Sequence, residues 1–319
     1  VYPTYYPPRK TPKECYEQII ADLTDAEQYA PDNDNSDRTK MTKTVAQAML
    51  AKVYAEKEVQ DYDKVIAYAD KVMKTTGVEL EDSYETLWGY DETAKDCMKR
   101  NTKEGILEVH WTTGSGNWET WMYGRQLDNW DYNFTWAKWI TPSRDIINDF
   151  DKEGDEVRKN QAIVYYACTW SNYYPASNYP FMYKLRSSYN NIYWLRLADI
   201  ILMKAEAEAY KGNLAESAKL VNQIRKRAKL KELTSDKTGS KESMIEAVLH
   251  ERRLELAFEG ERWFDLCRNN KVEQYLNGID NRDSGRIRQV RQFDGNSYLL
   301  PIPQTALDQN TNLEQNPGY

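Results

Sequence analysis

Residues 198–224, ADIILMKAEAEAYKGNLAESAKLVNQI, read as two antiparallel helices joined by a two-residue turn. Ala198, Ile201, Leu202, Ala205 and Ala209 recur at the spacing that places them on one helical face. Gly212-Asn213 then stops that helix, and Leu214, Ala218, Val221 and Ile224 mark a face on the next.

A similar arrangement stands upstream. Thr42 caps a helix whose Val45, Ala46, Met49, Leu50, Val53 and Tyr54 form a stripe, and Gln60-Asp61 breaks it. Tyr62, Val65, Ile66, Ala69, Val72 and Met73 form the second stripe, which ends at Gly77. Superposing the two pairs matches Ala51 with Ala205 and residues 62–72 with 214–224, with two extra residues in the first turn. Small residues where the helices touch and a unit of about 34 residues resemble the tetratricopeptide (TPR) pattern. The match is loose, because the full Trp/Gly/Tyr/Pro signature is missing. At the start of the chain, Thr11-Pro12-Lys13-Glu14 is a capping box with proline at the first helical position, and Tyr16, Ile19, Ile20, Leu23 and Ala26 share one face as far as about Tyr29. A further helix is expected over about Lys241 to Phe258, with a short one after Gly260. The predicted fold is therefore mainly α, with TPR-like helix pairs and a few short strands.

Composition narrows the function. With 43 Lys and Arg against 50 Asp and Glu the formal charge is −7, so the chain offers no basic field for a phosphate backbone. Nucleic acid is not an expected partner. No run of about 18 apolar residues exists to span a bilayer, and the opening VYPTYYPPRKT has neither a basic start nor an apolar core. Any targeting signal is expected outside the chain. Cys15, Cys97, Cys168 and Cys267 lie far apart with no CxxC, which points to neither zinc nor a redox pair; a disulfide stays open, with buried free thiols the plainer expectation.

The aromatics are unevenly placed. Of 24 Tyr, 10 Trp and 6 Phe, 21 fall within residues 111–194, which makes a quarter of that stretch aromatic against about a twelfth elsewhere. Apart from a strand at Ile106–Val109 and a helix from Ser143 to Phe150 the stretch shows little periodicity, and it reads as long loops on a helical scaffold. A sugar ring has an apolar CH face and a polar rim, so its site needs flat rings to stack and amides, carboxylates or guanidinium groups to reach the hydroxyls. GNWETWMYGRQLDNWDYNFTWAKW, residues 116–139, supplies both. Trp118, Trp121, Trp130, Tyr132 and Trp136 are the candidate platforms, and Asn117, Arg125, Asp128 and Asn129 the candidate polar partners. Trp170, Tyr173 and Tyr174 form a second candidate lip.

Other chemistries fail at specific positions. HERRL, residues 250–254, has Leu254 where a zinc-protease helix needs its second histidine, leaving His250 as an expected helix-surface residue. Asp32, Asp34 and Ser36 imitate the start of a calcium loop, but Asp37 replaces the required glycine and Lys43 the bidentate glutamate. No cofactor and no EF-hand metal is expected, and a weak calcium site of another kind stays open. GxSxG, P-loop and GxGxxG motifs are missing. Glu251, Glu255, Glu259 and Asp265 alternate with Arg252, Arg253, Arg262 and Arg268, a pattern of structural ion pairs rather than of a catalytic acid pair.

Five ordered stretches also carry a family resemblance. YWLRLADIILMKAEAEAYKGN (193–213), VNQIRKRAKL (221–230), ERRLELAFEGERWFDLCR (251–268), LLPIPQ (299–304) and NLEQNPGY (312–319) resemble the C-terminal region of the SusD/RagB family of surface nutrient-binding proteins. IIADLTDAEQYAP (19–31), the 42–73 stretch, and TPSRDIINDFD (141–151) with DEVR (155–158) resemble its middle section. The resemblance implies a SusD-like α-helical scaffold of TPR-like pairs with binding loops, divided as helical scaffold 1–77, aromatic-rich ligand-binding region 104–194, and second pair with family motifs 195–319. It implies a non-catalytic outer-membrane lipoprotein of Bacteroidetes, exposed at the cell surface, that captures oligo- or polysaccharide, or peptide in some branches, for a SusC-like TonB-dependent transporter. The membrane would be reached only through an N-terminal lipid anchor not present in this chain. Because members are usually longer, the chain is expected to be a fragment, a processed form or a short member. A peptide-binding helical-repeat module is the alternative expectation, and a glycosidase the third.

Overall fold

The computed structural model describes residues 5–91, 93–94, 96–111, 141–168, 171–187, 190–285 and 291–319. Its scaffold is helical. Helix Pro12–Tyr29 opens with the expected capping box: the Glu14 amide donates to Thr11 Oγ1 at 3.2 Å and the Thr11 amide to Glu14 Oε2 at 2.9 Å. Its apolar face is only partly covered, with no residue fully buried and Ile19 39% exposed.

The two helix pairs form as read. Lys43–Ala55 packs on Tyr62–Met73, and Leu197–Lys211 packs on both Tyr62–Met73 and Leu214–Arg227. Ala51 and Ala205 are both completely buried. A methyl side chain at these points lets the backbones approach closely, and Ser217 Oγ donates to the Ala205 carbonyl at 2.7 Å. Helix 197–211 is the axis of the molecule, buried along residues 197–209 and ended by Gly212 at φ 84°. Its Ile200, Ile201, Ala205 and Ala209 share one core with Val45, Val72, Val221, Ile224, Met244 and Val248. Helix Lys241–Glu255 closes that core and ends before the expected Phe258, which takes a left-handed φ of 66° in the turn that follows.

Met49 departs from its expected stripe. It is 37% exposed, while Ala48 and Ala51 take the buried positions of helix 43–55. The stretch expected to be loops also holds more structure than its pattern shows. Helix Glu156–Ala162 follows helix Arg144–Glu153, and Ile163–Tyr166 pairs antiparallel with Tyr179–Met182. A second ladder joins Gly105–Val109 to Ile192–Arg196. None of the four cysteines is in a disulfide, and of the four only Cys168 is buried.

Candidate functional site

Ten of the expected binding residues, Asn117, Trp118, Trp121, Arg125, Asp128, Asn129, Trp130, Tyr132, Trp136 and Trp170, lie outside the described residues. What the structure places is the ground on either side of residues 112–140.

The upstream side is strand Gly105–Val109 and its continuation. Glu108 is buried and serves as a hub: it accepts from the amides of Asn101 and Thr102 at 2.9 Å each and from Thr102 Oγ1 at 2.8 Å, and Nε2 of His110 lies 2.7 Å away. Arg100 adds a bond to the Trp111 carbonyl at 2.9 Å. A Cβ at position 105 would collide with the Glu108 carboxylate, so glycine is required there by close approach.

The downstream side begins at Thr141, whose Oγ1 lies 3.0 Å from the Tyr179 hydroxyl. Tyr174 donates to the Pro142 carbonyl at 2.8 Å, and Ser143 caps helix 144–153 through the Ile146 amide. Tyr173 and Tyr174, the expected site residues that are described, are half-buried here. The Tyr173 hydroxyl donates to Asp283, which also accepts the Arg144 amide at 3.0 Å. The Arg144 guanidinium sits 4.6 Å over the Tyr173 ring and 4.0 Å over that of Tyr174. Arg144 and Asp283 escaped the sequence reading; Asp283 lies far along the chain and had no local signal.

Trp194 was also missed. In strand 192–196, Tyr193 and Leu195 point inward, so Trp194 faces out with 63% of its surface exposed. Alternation over these five residues was the available signal. Trp194, Met41 and Met49 edge a largely apolar groove of about 630 Å³ between helix 43–55, strand 192–196 and the turn 258–260. Its polar floor is Lys184, which donates to Glu259 at 2.5 Å and to the Glu255 carbonyl at 3.1 Å.

Apart from Arg262, the alternating acids and arginines of 251–268 are tied into ion pairs. Glu255 receives Arg196 at 2.6 Å and Arg158 at 3.2 Å, and also Arg227. Burial pushes its pKa up, but the guanidinium groups of Arg227, Arg196 and Arg158 outweigh that and hold it well below the usual carboxylate range. Arg252 bridges Asp199 at 2.7 Å and Asp265 at 2.9 Å, and Arg268 grips both oxygens of Glu206 at 2.7 Å. Glu255, Asp199 and Asp265, held below the usual carboxylate range by their cationic partners, have no proton to donate near neutral pH. His250 is less exposed than expected for a helix-surface residue, with 34% of its side chain accessible, and its Nε2 lies 3.2 Å from Glu153. Among the described residues no group of three or more His, Cys, Asp or Glu is placed to hold a metal, and no helix is long and apolar enough to cross a membrane.

Comparison with known proteins agrees with this scaffold. The model of the SusD family matches residues 28–319. SusD-like protein P2 of Formosa agariphila is 28% identical over 97% of this chain and 66% of its own length. A SusD-like protein of Bacteroides ovatus is 24% identical, over 81% of this chain and 51% of its own length. The chain thus spans between about half and two thirds of these two relatives. Among solved structures, a SusD superfamily protein from Bacteroides vulgatus superposes with a TM-score of 0.76 at 23% identity, covering 99% of this chain and 70% of that one. A laminarin binding SusD-like protein superposes at 0.73 and 24% identity, covering 97% and 70%.

Proposed function

Because the chain belongs to the SusD family, we propose that it is a non-catalytic surface protein that captures an oligo- or polysaccharide for import through a SusC-like TonB-dependent transporter of the outer membrane. The observation that carries this reading is the concentration of rings with polar neighbours in residues 112–140, a segment whose two flanks are fastened to a rigid scaffold. Trp118, Trp121, Trp130, Tyr132 and Trp136 would stack on sugar faces, Asn117, Arg125, Asp128 and Asn129 would select the hydroxyl pattern, and Trp170 and Tyr173 would form a second lip. The laminarin-binding neighbour supports a glycan as the cargo. The ion-paired acids of 251–268 favour binding over hydrolysis. Retention at the outer membrane would come from a lipid anchor.

Intrinsic tryptophan fluorescence, titrated with a panel of plant, fungal and host glycans and followed by calorimetry on each hit, tests the reading. Seven of the ten tryptophans lie between residues 111 and 170, so a stacked ligand perturbs the signal. A saturable response to one glycan class is expected. Silence across the panel from a folded protein overturns it. The apolar groove beside Trp194 favours a second reading, capture of a peptide through its apolar side chains. Saturable binding of peptides with no response to any glycan would establish that reading instead.

A further inference from the structure

A cleft of about 330 Å³ lies between helix 144–153, helix 241–255 and the segment 262–282. Lys152, Arg253, Arg262 and Arg282 line it, against only two acids, Asp145 and Asp149. Both acids are already engaged. Arg253 donates to Asp149 and, at 2.7 Å, to Asp145, and Arg282 Nε donates to the other oxygen of Asp145 at 3.1 Å. Arg262 is left over. Its Nη1 donates to the Leu249 carbonyl at 3.1 Å and its guanidinium lies 4.7 Å over the Tyr275 ring, but among the described residues it has no carboxylate partner. The Tyr275 ring is itself pinned by its hydroxyl to Glu246. Lys152 is exposed at the mouth and likewise has no ion pair among the described residues. Burial, with the charge of Arg253 adding to it, pushes the Arg262 pKa down to about 10. A cation crowded in this way is stabilised by an incoming anion.

We propose that this cleft takes the carboxylate or sulfate of an acidic sugar residue, with Arg262 and Lys152 as the cations that receive it. The proposal rests on the glycan-capture reading and narrows its substrate class. A guanidinium matches the two oxygens of either group with paired N–H donors, and an ammonium adds a point charge. The cleft adjoins the aromatic flank: Arg282 reaches into it, and the next residue, Asp283, holds Tyr173 and the Arg144 amide. A glycan lying along Tyr173 and Tyr174 would therefore meet the cleft at one residue of its length. With a net charge of −7 the chain does not attract polyanions as a whole, so any preference for acidic sugars must come from a local site.

Calorimetry on the full chain with three oligosaccharides of matched length separates the outcomes: an oligogalacturonate, a sulfated galactan oligosaccharide and a neutral β-glucan, with free sulfate and free galacturonic acid as controls. At least one acidic oligosaccharide is expected to bind roughly tenfold more tightly than the neutral one at low salt. That advantage should shrink as sodium chloride rises from about 20 mM to about 0.5 M. Which acidic arm responds identifies carboxylate or sulfate. Lys152→Gln and Arg262→Gln should each remove most of the advantage and leave neutral binding unchanged. Should Arg262→Gln fail to fold by its melting curve, the exposed Lys152→Gln decides alone. Equal affinity for neutral and acidic chains, or an advantage that survives the substitutions, overturns the cleft assignment while leaving glycan capture intact. Saturation by free sulfate with no gain for either acidic oligosaccharide would make the cleft an adventitious ion only and also overturns it. Loss of binding to every glycan, neutral included, would overturn the parent reading with it.

Discussion

Arg196 Nη1 stands 2.6 Å from Glu255 Oε1, and through that contact the strand that presents Trp194 is fastened to helix 241–255. Glu255 is fully buried and shared with Arg158 and Arg227, each of the three arginines also holding another acid: Arg158 pairs with Asp155 and Glu251, Arg196 with Glu104 and Glu259, and Arg227 with Glu104. Removal of Glu255 takes a shared counter-charge from three buried guanidinium groups at once.

Glu255→Ala is therefore expected to destabilise the protein by about 3–5 kcal/mol, the range for breaking a buried ion pair on one side. Urea unfolding followed by far-ultraviolet circular dichroism measures it. A surface pair such as Lys13 with Glu17, exposed on both sides, serves as the control, and its removal should not shift the midpoint measurably. Equal effects at the two sites would contradict the network described here.

Gly105→Ala tests the flank of the aromatic segment from the backbone side. The new methyl must displace the Glu108 carboxylate and with it the bonds to Asn101, Thr102 and His110. The expected cost is about 1–3 kcal/mol. Full stability in the alanine variant would mean that the carboxylate has room to move and that the hub is not rigid.

Glu153 gives an acid-side signature. The hydrogen bond with His250, reinforced by Arg225, lowers its pKa to about 2 from an ordinary 4.5. A carboxylate whose folded pKa is depressed contributes stability that is present above its unfolded pKa and is lost as pH falls through its folded one. Wild type should therefore lose this contribution between about pH 4.5 and pH 2. Glu153→Gln should flatten the stability profile over that window and leave its shape above about pH 6 unchanged. Superimposable acid limbs would show that the pairing contributes nothing in solution.

For the proposed binding segment, Trp118, Trp121, Trp130 and Trp136 are to be replaced one at a time by alanine. At least one substitution should weaken glycan binding by about threefold or more, the scale of one aromatic stacking contact. Melting temperatures should stay within about 2 °C of wild type. Unchanged affinity in all four variants would remove these rings from the site.

The helix pairs were legible because their signals are local. A cap at Thr11 or Thr42, a stop at Gly212 and alanines at Ala51 and Ala205 each act within a turn or two of helix. Other elements hid for physical reasons. Helix 156–162 buries Arg158 as well as Ala162, and a hydrophobic stripe cannot reveal an anchor that is charged. Strand 163–166 is apolar or aromatic at every position, and its partner contains Pro180, which argues against a strand in any sequence reading. The candidate site was legible only as composition. The chain itself shows where the rings are concentrated, but contacts such as Asp283 with Tyr173 span 110 residues and follow from tertiary structure alone.

The two fastenings that flank residues 112–140 depend on Glu108, Arg100, Thr141, Tyr174 and Asp283, all of which lie outside that segment. Heritable change within the segment therefore leaves its attachment points untouched. With the ligand bound there as proposed, such an arrangement lets ligand preference drift quickly while the scaffold is held constant by its buried charges. Exchanging residues 112–140 between relatives, with the attachment residues retained, becomes a direct route to grafting one protein's preference onto another.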